Sequence, residues 1–169
     1  MLITDLDTIK RKAEEANDEN WEFRAFLKGE LEWDGDVLDA YVYKIAREVS
    51  DQIDCTACGN CCRITGTGVN GDEIAGLARH MRMSTSAFKK RYVGTDDCGD
   101  VIIKETPCPF LEGNLCRIYD DRPRNCREYP YLLKEGFRQR LIGVVYNASD
   151  CPIVFNTYEI LKKRFRQPD

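Results

Sequence analysis

Hydrophobic residues recur every three or four positions through the first third of the chain, which predicts amphipathic helices there. The stripe of the first helix consists of Leu6, Ile9, Ala13 and Ala16. Asn20 is predicted to cap a second, aromatic-rich helix that ends at Gly29. A third helix is predicted to begin at Asp36, after a turn at Asp34-Gly35. Its apolar stripe, at steps of four, consists of Val37, Tyr41, Ile45 and Val49.

The middle of the chain combines helical periodicity with short β-branched runs. A helix is predicted over residues 70–83, and Ser84 is predicted to cap a shorter helix that follows it. The Val and Ile residues at 101–103 are typical of a strand. Apolar flanks on either side of Gly113-Asn114 predict a β-hairpin over residues 109–116.

The last part of the chain is predicted to contain a short helix, a strand and a long helix. Pro123 suits the first turn of a short helix that holds Cys126. Residues 137–146 are predicted to form a hairpin arm or a lone strand, and Asp150-Cys151-Pro152 is predicted to open a final helix. These patterns together predict an α+β fold that is a small, helix-dominated single domain with short β-hairpins.

Composition describes an ordinary globular protein. The 169 residues are 43% hydrophobic and include 25 Lys+Arg against 29 Asp+Glu, for a net charge of −4. This length allows one domain with a sizeable core, and the acidic balance argues against a nucleic-acid surface. Apolar runs are too short to span a bilayer, and the first residues lack the apolar segment of a signal peptide. We therefore expect a cytoplasmic protein without nucleic-acid or membrane partners.

Cysteine is the unusual component, with nine residues in the chain. None precedes position 55, and four lie within the eight residues CTACGNCC. This asymmetry predicts an N-terminal helical arm over residues 1–44, which packs on a cysteine-cluster domain over residues 45–169. The cysteines are Cys55, Cys58, Cys61, Cys62, Cys98, Cys108, Cys116, Cys126 and Cys151.

Disulfides, buried core thiols and metal ligands are the three explanations for such a set. Disulfides require an oxidising compartment, the cysteine count is odd, and a bridge between Cys61 and Cys62 would be strained. Core packing explains one or two scattered cysteines but not four in eight residues. Metal ligation is the favoured explanation, and the fold is expected to be organised around an all-cysteine metal site. The only histidine, His80, is predicted to be a surface residue of a helix.

Zinc and an iron–sulfur cluster both remain candidates for the metal. Zinc requires four tetrahedral ligands, usually from paired CxxC motifs. The spacing of Cys55, Cys58 and Cys61 matches the C-x2-C-x2-C run of bacterial ferredoxins, and Cys108 and Cys151 are each followed by proline. The spacing therefore slightly favours a [4Fe-4S] cluster. Adjacent thiolates, as at positions 61 and 62, are better placed to serve two neighbouring metal centres.

Arginines accompany the distal cysteines. They could donate N–H groups to thiolate sulfurs, form a pocket for a carboxylate or phosphate, or simply be solvated. The candidates are Arg63, Arg117, Arg122, Arg124 and Arg127.

The segments CTACGNCC, CPFLEGNLCRIYDDRPRNCREYP and the late Cys151-Pro152 resemble the CxxCxxCC cysteine-cluster family (YkgJ-type), which is described as zinc- or iron-chelating. The resemblance covers about residues 45–152. The chain is also more distantly similar to the cysteine domain of flagellin lysine N-methylases. It leaves Cys98 outside the pattern, as a free thiol. The ligands that it implies are Cys55, Cys58, Cys61, Cys62, Cys108, Cys116, Cys126 and Cys151.

Three hypotheses for function follow. The first is a metal-chelating protein whose metal holds the fold together. The second is an iron–sulfur enzyme or electron-transfer module, although the chain has no dinucleotide-binding loop or P-loop. The third is an adaptor whose N-terminal helices bind a partner protein. Solvent exposure of Trp21, Trp33 or Phe26 would support it, and their burial would count against it.

Overall fold

The computed structural model describes residues 1–166, which form two compact units. One unit comprises Met1–Asp54 together with the chain from Pro130 onward, and the other is Cys55–Tyr129. Helix accounts for 58% of the described residues and the strands are short antiparallel pairs, so the predicted helix-dominated fold class is confirmed. Among the described helices, none has both the length and the apolar character needed to cross a membrane.

The secondary structure elements follow in chain order. The helices are α1 (Leu6–Glu15), α2 (Asn17–Ala25), α3 (Gly35–Ser50), α4 (Cys55–Cys58), α5 (Asn60–Ile64), α6 (Gly71–His80), α7 (Thr85–Tyr92), α8 (Arg124–Glu128), α9 (Leu141–Asn147) and α10 (Pro152–Arg166). A π-helical turn spans Phe26–Glu30 and a 3-10 turn spans Phe137–Gln139. The strands are β1 (Thr67–Gly68), β2 (Val93–Thr95), β3 (Val101–Ile103), β4 (Leu111–Glu112) and β5 (Leu115–Cys116).

In the first unit, α10 packs against α1, α3 and α9. Ile9 and Ala13, two of the four residues of the stripe predicted for the first helix, are buried with Phe155 of α10. Leu6 is half-buried, and Ala16 is the C-cap of α1. Tyr158 is almost fully buried, and its hydroxyl donates a hydrogen bond to the Asn20 carbonyl at 3.0 Å. Burial of these apolar and aromatic side chains supplies the main driving force for this unit.

Asn20 is not the cap predicted from the sequence. The helix begins three residues earlier, at Asn17, so Asn20 lies inside α2, where only 3% of it is exposed. Its side-chain oxygen accepts a hydrogen bond from the buried Lys162 ammonium at 2.8 Å. Glu19 accepts a second hydrogen bond from the same ammonium at 3.0 Å. A polar side chain that looks like a cap is therefore the partner of a buried charge, which must be paired.

Two other local predictions are corrected in this unit. The segment predicted as a strand over 137–146 forms the 3-10 turn and α9, because its buried residues recur at helical spacing as Leu141, Val144 and Val145. The third helix begins at Gly35, so Asp34 and not Asp36 occupies the N-cap position, without a side-chain capping hydrogen bond. Its buried face is displaced from the predicted stripe and consists of Leu38, Asp39, Val42, Ile45, Ala46 and Val49.

The aromatic residues of the N-terminal helices are half-buried by rings of the same unit. Trp21 meets Tyr146 edge-on with ring centroids 5.9 Å apart. Trp33 and Phe26 both contact Phe165, at 5.2 and 5.8 Å between centroids. Contacts within their own unit cover part of each ring and leave the remainder exposed to solvent.

The second unit combines α6 and α7 with a three-stranded antiparallel sheet in the order β1-β3-β2. Asn70 and Glu73 form a capping box at the start of α6, and Ser84 caps α7, so both predicted helices are confirmed. The rings of Phe88, Tyr92 and Phe110 pack together in its core. The predicted hairpin is present as β4 and β5, which pair Leu111 with Cys116 and Glu112 with Leu115.

Candidate metal centre

The CTACGNCC segment folds as two short helical turns, α4 and α5, joined by Gly59. Gly59 has a φ of +61°, a left-handed conformation that residues with a Cβ rarely adopt. A Cβ at this position would also lie 3.2 Å from the Asn114 carbonyl oxygen. Glycine therefore allows the chain to reverse between Cys58 and Cys61 beneath the β4–β5 turn.

Arg63 and Asn114 tie this loop to the hairpin. The Arg63 guanidinium donates to the Cys58 carbonyl at 2.8 Å, to the Gly113 carbonyl at 3.2 Å and to the Asn114 side-chain oxygen. The Asn114 amide nitrogen donates in turn to the Ala57 carbonyl at 2.7 Å. Side chains from both segments thus satisfy the loop carbonyls, and the hairpin that carries Cys116 is held against α4 and α5.

Main-chain contacts bring Cys62, Cys108 and Cys116 into one neighbourhood. The Cys108 amide donates to the Cys62 carbonyl at 2.7 Å, and the Cys108 carbonyl accepts from the Leu111 amide at 3.0 Å. Leu111 is the strand partner of Cys116. Cys108 and Cys116 also pack against the same hydrophobic core.

Cys126 lies on α8, which is positioned by β1 and α6. The Thr67 hydroxyl of β1 is 3.0 Å from the Cys126 sulfur. Glu73 of the α6 capping box accepts a hydrogen bond from the Arg124 amide at 2.7 Å, at the start of α8. At Gly68, an added Cβ would come within 2.6 Å of the Asn125 side-chain nitrogen, so glycine accommodates this approach of β1 to α8 without a shift of that side chain.

Four of these thiols perturb one another electrostatically. The pKa of Cys108 is raised to about 11, mainly by burial, with a smaller contribution from nearby Cys62, Cys116 and Cys126. Burial is also the main cause of the raised pKa of Cys116 and of Cys126, and Cys62 adds to both. The pKa of Cys62 is raised mainly by a hydrogen bond with Cys61 and then by burial. In the absence of a cation, these thiols therefore hold their protons at neutral pH.

The model of the CxxCxxCC family, described as a putative zinc- or iron-chelating domain, matches residues 54–152. This chain belongs to the CxxCxxCC family. No curated protein and no solved structure matches it. The likeness to flagellin lysine N-methylases is not shown by these comparisons.

The structure divides the cysteines of this CxxCxxCC protein between its two units. Seven of the eight predicted ligands belong to Cys55–Tyr129, whereas Cys151 belongs to the other unit and is 7% exposed. Cys98 lies in an exposed turn as a free thiol. Within residues 1–166, no three His, Cys, Asp or Glu side chains are arranged so that they could hold a metal ion.

The predicted arginines have individual partners in the structure. Arg122 lies 3.8 Å from the centre of the Tyr119 ring and lowers the pKa of Cys116 and Cys126. Arg63 lowers the pKa of Cys62. Arg124 pairs with Glu128 and Arg117 with Glu112, while no role follows for Arg127. Arg63 and Arg122 are thus the two arginines whose charges favour thiolate at these cysteines.

Sequence patterns did not single out Thr67, Asn114 or Asp121. The first two touch the cysteine-bearing segments from 59 and 57 residues away in the chain. An Asp121 carboxylate oxygen lies within hydrogen-bonding distance of the His80 ring nitrogen Nδ1, at 2.6 Å. Both side chains are exposed, as predicted for the histidine. For Asn114 the sequence offered one signal, the Gly113-Asn114 turn. A hairpin turn beside cysteines predicts that Asn114 lies near them, but not that its side-chain amide bonds to the Ala57 carbonyl.

Proposed function

We propose that this protein chelates a metal through cysteine thiolates, as zinc or as an iron–sulfur cluster, and that the metal stabilises Cys55–Tyr129. The mutual neighbourhood of four half-buried thiols is the observation that carries the proposal. The family description, zinc- or iron-chelating, supports the same chemistry. The ligand candidates in this unit are Cys55, Cys58, Cys61, Cys62, Cys108, Cys116 and Cys126, and Cys151 is the eighth candidate.

The donor chemistry fits either metal form. Thiolate sulfur is a soft ligand that zinc and iron–sulfur clusters both accept in sets of four. An all-thiol set also fits a reducing compartment, which supports the cytoplasmic location expected from the sequence. The slight preference for a [4Fe-4S] cluster depends on the spacing of Cys55, Cys58 and Cys61 alone.

The protein residues have two roles in this proposal. The pKa of Cys62 is raised mainly by its hydrogen bond with Cys61, and the pKa values of Cys108, Cys116 and Cys126 mainly by burial, so these thiols favour the protonated form until a cation compensates for their charge. Because the described side chains do not form a ready ligand shell, binding must include reorientation of cysteine side chains. Metal binding is therefore expected to order this part of the chain.

Metal analysis of the whole protein purified without oxygen tests the proposal. An iron–sulfur protein would be brown, would contain iron and acid-labile sulfide, and would lose its visible absorption on oxidation. A zinc protein would be colourless and would contain tightly held zinc. Protein that contains neither metal, and takes up neither zinc nor reconstituted iron and sulfide, would contradict metal chelation.

A further inference from the structure

We propose that Trp21, Arg24, Ile142 and Tyr146 form a docking surface for a partner protein that presents a carboxylate beside apolar side chains. These four residues are called the α2–α9 surface. The inference goes beyond metal chelation, because the surface lies in the first unit and contains none of the candidate ligands.

The exposed side of α9 is apolar. Tyr146 is 65% exposed and Ile142 is 49% exposed. The two residues are four positions apart in one helix, so their side chains lie on the same face. The helix has the sequence LIGVVYN, which contains no charged residue. Large apolar side chains that are exposed next to one another, unlike isolated ones, mark sites of contact with other molecules.

Trp21 and Arg24 continue this surface onto α2. The two helices are in contact, and the Trp21 ring meets the Tyr146 ring edge-on with centroids 5.9 Å apart. The Arg24 guanidinium carbon lies 5.4 Å from the centre of the Trp21 ring. Both α2 residues are half-buried, so part of each side chain is accessible to a partner. Trp, Tyr and Arg are the residue types that most often dominate the binding energy of protein interfaces.

Arg24 determines which kind of partner this surface fits. Its Nε atom is buried and has no hydrogen-bond partner within residues 1–166. A buried N–H group without an acceptor is unfavourable, and guanidinium groups bind carboxylates through paired hydrogen bonds. Because Arg24 is only half-buried, a rotation of its side chain can bring these donors to a carboxylate at the surface.

Charge and hydrophobicity together therefore favour an acidic, apolar segment as the occupant. Its carboxylate would supply the acceptor that Arg24 lacks, and its apolar side chains would cover Ile142 and Tyr146. A basic segment would be repelled by the guanidinium charge.

Selection from a displayed library of random short peptides, with the whole purified protein as the target, tests this assignment. The enriched peptides are expected to combine Asp or Glu with aromatic or aliphatic residues. Arg24→Gln and Ile142→Ser should each weaken the binding of an enriched synthetic peptide by about 10-fold. Val37→Ser is the matched control, because Val37 is an apolar residue on α3 that is 52% exposed, and it should leave the affinity unchanged.

A second peptide distinguishes a direct contact with Arg24 from a general loss of structure. Replacement of the peptide's acidic residue by the corresponding amide should weaken its binding to wild type by about 10-fold and have little further effect on Arg24→Gln. Equal effects of the amide peptide on both proteins would contradict the pairing. Circular dichroism and the metal content of each variant establish that the fold and any bound metal are unchanged.

The remaining outcomes decide between occupants. Failure to enrich acidic, apolar peptides, or equal affinity of wild type and both surface variants for those enriched, would overturn the proposal. A wild-type dimer that Ile142→Ser converts to a monomer in sedimentation equilibrium would show that a second copy covers this face, which would also overturn it. Protein that binds the peptides as expected but takes up no metal would overturn the chelating function and leave the docking surface in place.

Discussion

The Thr67 hydroxyl lies 3.0 Å from the Cys126 sulfur, so a single side chain of β1 contacts a candidate metal ligand. Once Cys126 is a thiolate, only the hydroxyl can donate in this contact. The hydrogen bond would then orient the sulfur and reduce its charge, as outer-shell partners do for other metal ligands.

Thr67→Val should therefore weaken zinc binding by about 10-fold, at the low end of the effects of lost outer-shell hydrogen bonds. Thr67→Ser should restore most of the affinity because it keeps the hydroxyl. Competition with a zinc chelator of known affinity measures the change. Equal affinity in wild type and Thr67→Val would show that the contact has no role in binding.

The ion pair between Glu19 and Lys162 is a second interaction between single side chains that can be tested. A hydrogen bond from the Lys162 ammonium holds the pKa of this carboxyl below its ordinary value of 4.5. A carboxyl whose pKa is lowered in the folded state stabilises that state above the ordinary pKa. The contribution disappears as the pH falls through the lowered value.

Glu19→Gln should reduce the free energy of unfolding by about 1 kcal/mol at pH 7, a value that allows for screening of this partly exposed carboxylate by solvent. The difference from wild type should begin to shrink below the ordinary carboxyl pKa and then vanish on further acidification. Urea denaturation at a series of pH values measures both effects. Glu14→Gln, at an exposed position of α1, is the control and should have little effect. A difference that grows on acidification would contradict the interaction.

Among the structural elements, the α4–α5 loop depends most directly on glycine. Gly59 has a φ of +61° and approaches the Asn114 carbonyl closely, whereas Gly76 lies inside α6 with open space around its Cα. The same substitution should therefore have opposite effects at the two positions.

Gly59→Ala should destabilise the protein by about 1–2 kcal/mol because alanine is strained in the left-handed region. Gly76→Ala should leave stability unchanged or raise it by up to about 1 kcal/mol, because alanine favours the helix interior. Chemical denaturation of the two variants provides the comparison. Destabilisation of equal size at both positions would mean that the effect does not come from the loop conformation.

Elements formed by interactions between residues close in the chain were predicted correctly more often than elements that depend on distant residues. Asn70 and Ser84 cap their helices through residues three positions away, so their patterns are complete within one turn. The hairpin arm or lone strand predicted at 137–146 was wrong, although this segment contains the β-branched residues Ile142, Val144 and Val145, which favour strands. Burial of Leu141, Val144 and Val145 in the first unit outweighs that preference and gives α9.

For the molecule as a whole, metal dependence should be confined to one unit. The first unit is built on helix packing and the buried Lys162 contacts, whereas the second holds seven of the eight candidate metal ligands. A structural zinc site contributes about 10–16 kcal/mol in small peptides, which is comparable with the stability of a whole domain at about 5–15 kcal/mol. Removal of the metal is therefore expected to cause a large loss of stability that is restricted to the second unit.

Treatment of the metal-loaded protein with a strong chelator should increase amide hydrogen exchange across residues 55–129 and leave α1, α3 and α10 protected. Exchange followed by mass spectrometry resolves the two regions. Unchanged exchange in both, with the metal shown to be removed, would contradict a structural role. Equal loss of protection in both would show that stabilisation by the metal is not confined to Cys55–Tyr129.

The CxxCxxCC motif, the surplus Cys98 and most helices could be recognised in the chain itself, because each depends on residue type at short spacing. The grouping of thiols could not. Cys62 and Cys108 are 46 positions apart, and their proximity depends on the hydrogen bond at 2.7 Å between their backbones. Likewise, the neighbours of Cys126 are set by the packing of β1 against α8. Long-range packing determines which sulfurs meet, since many chain paths are compatible with the same cysteine spacing.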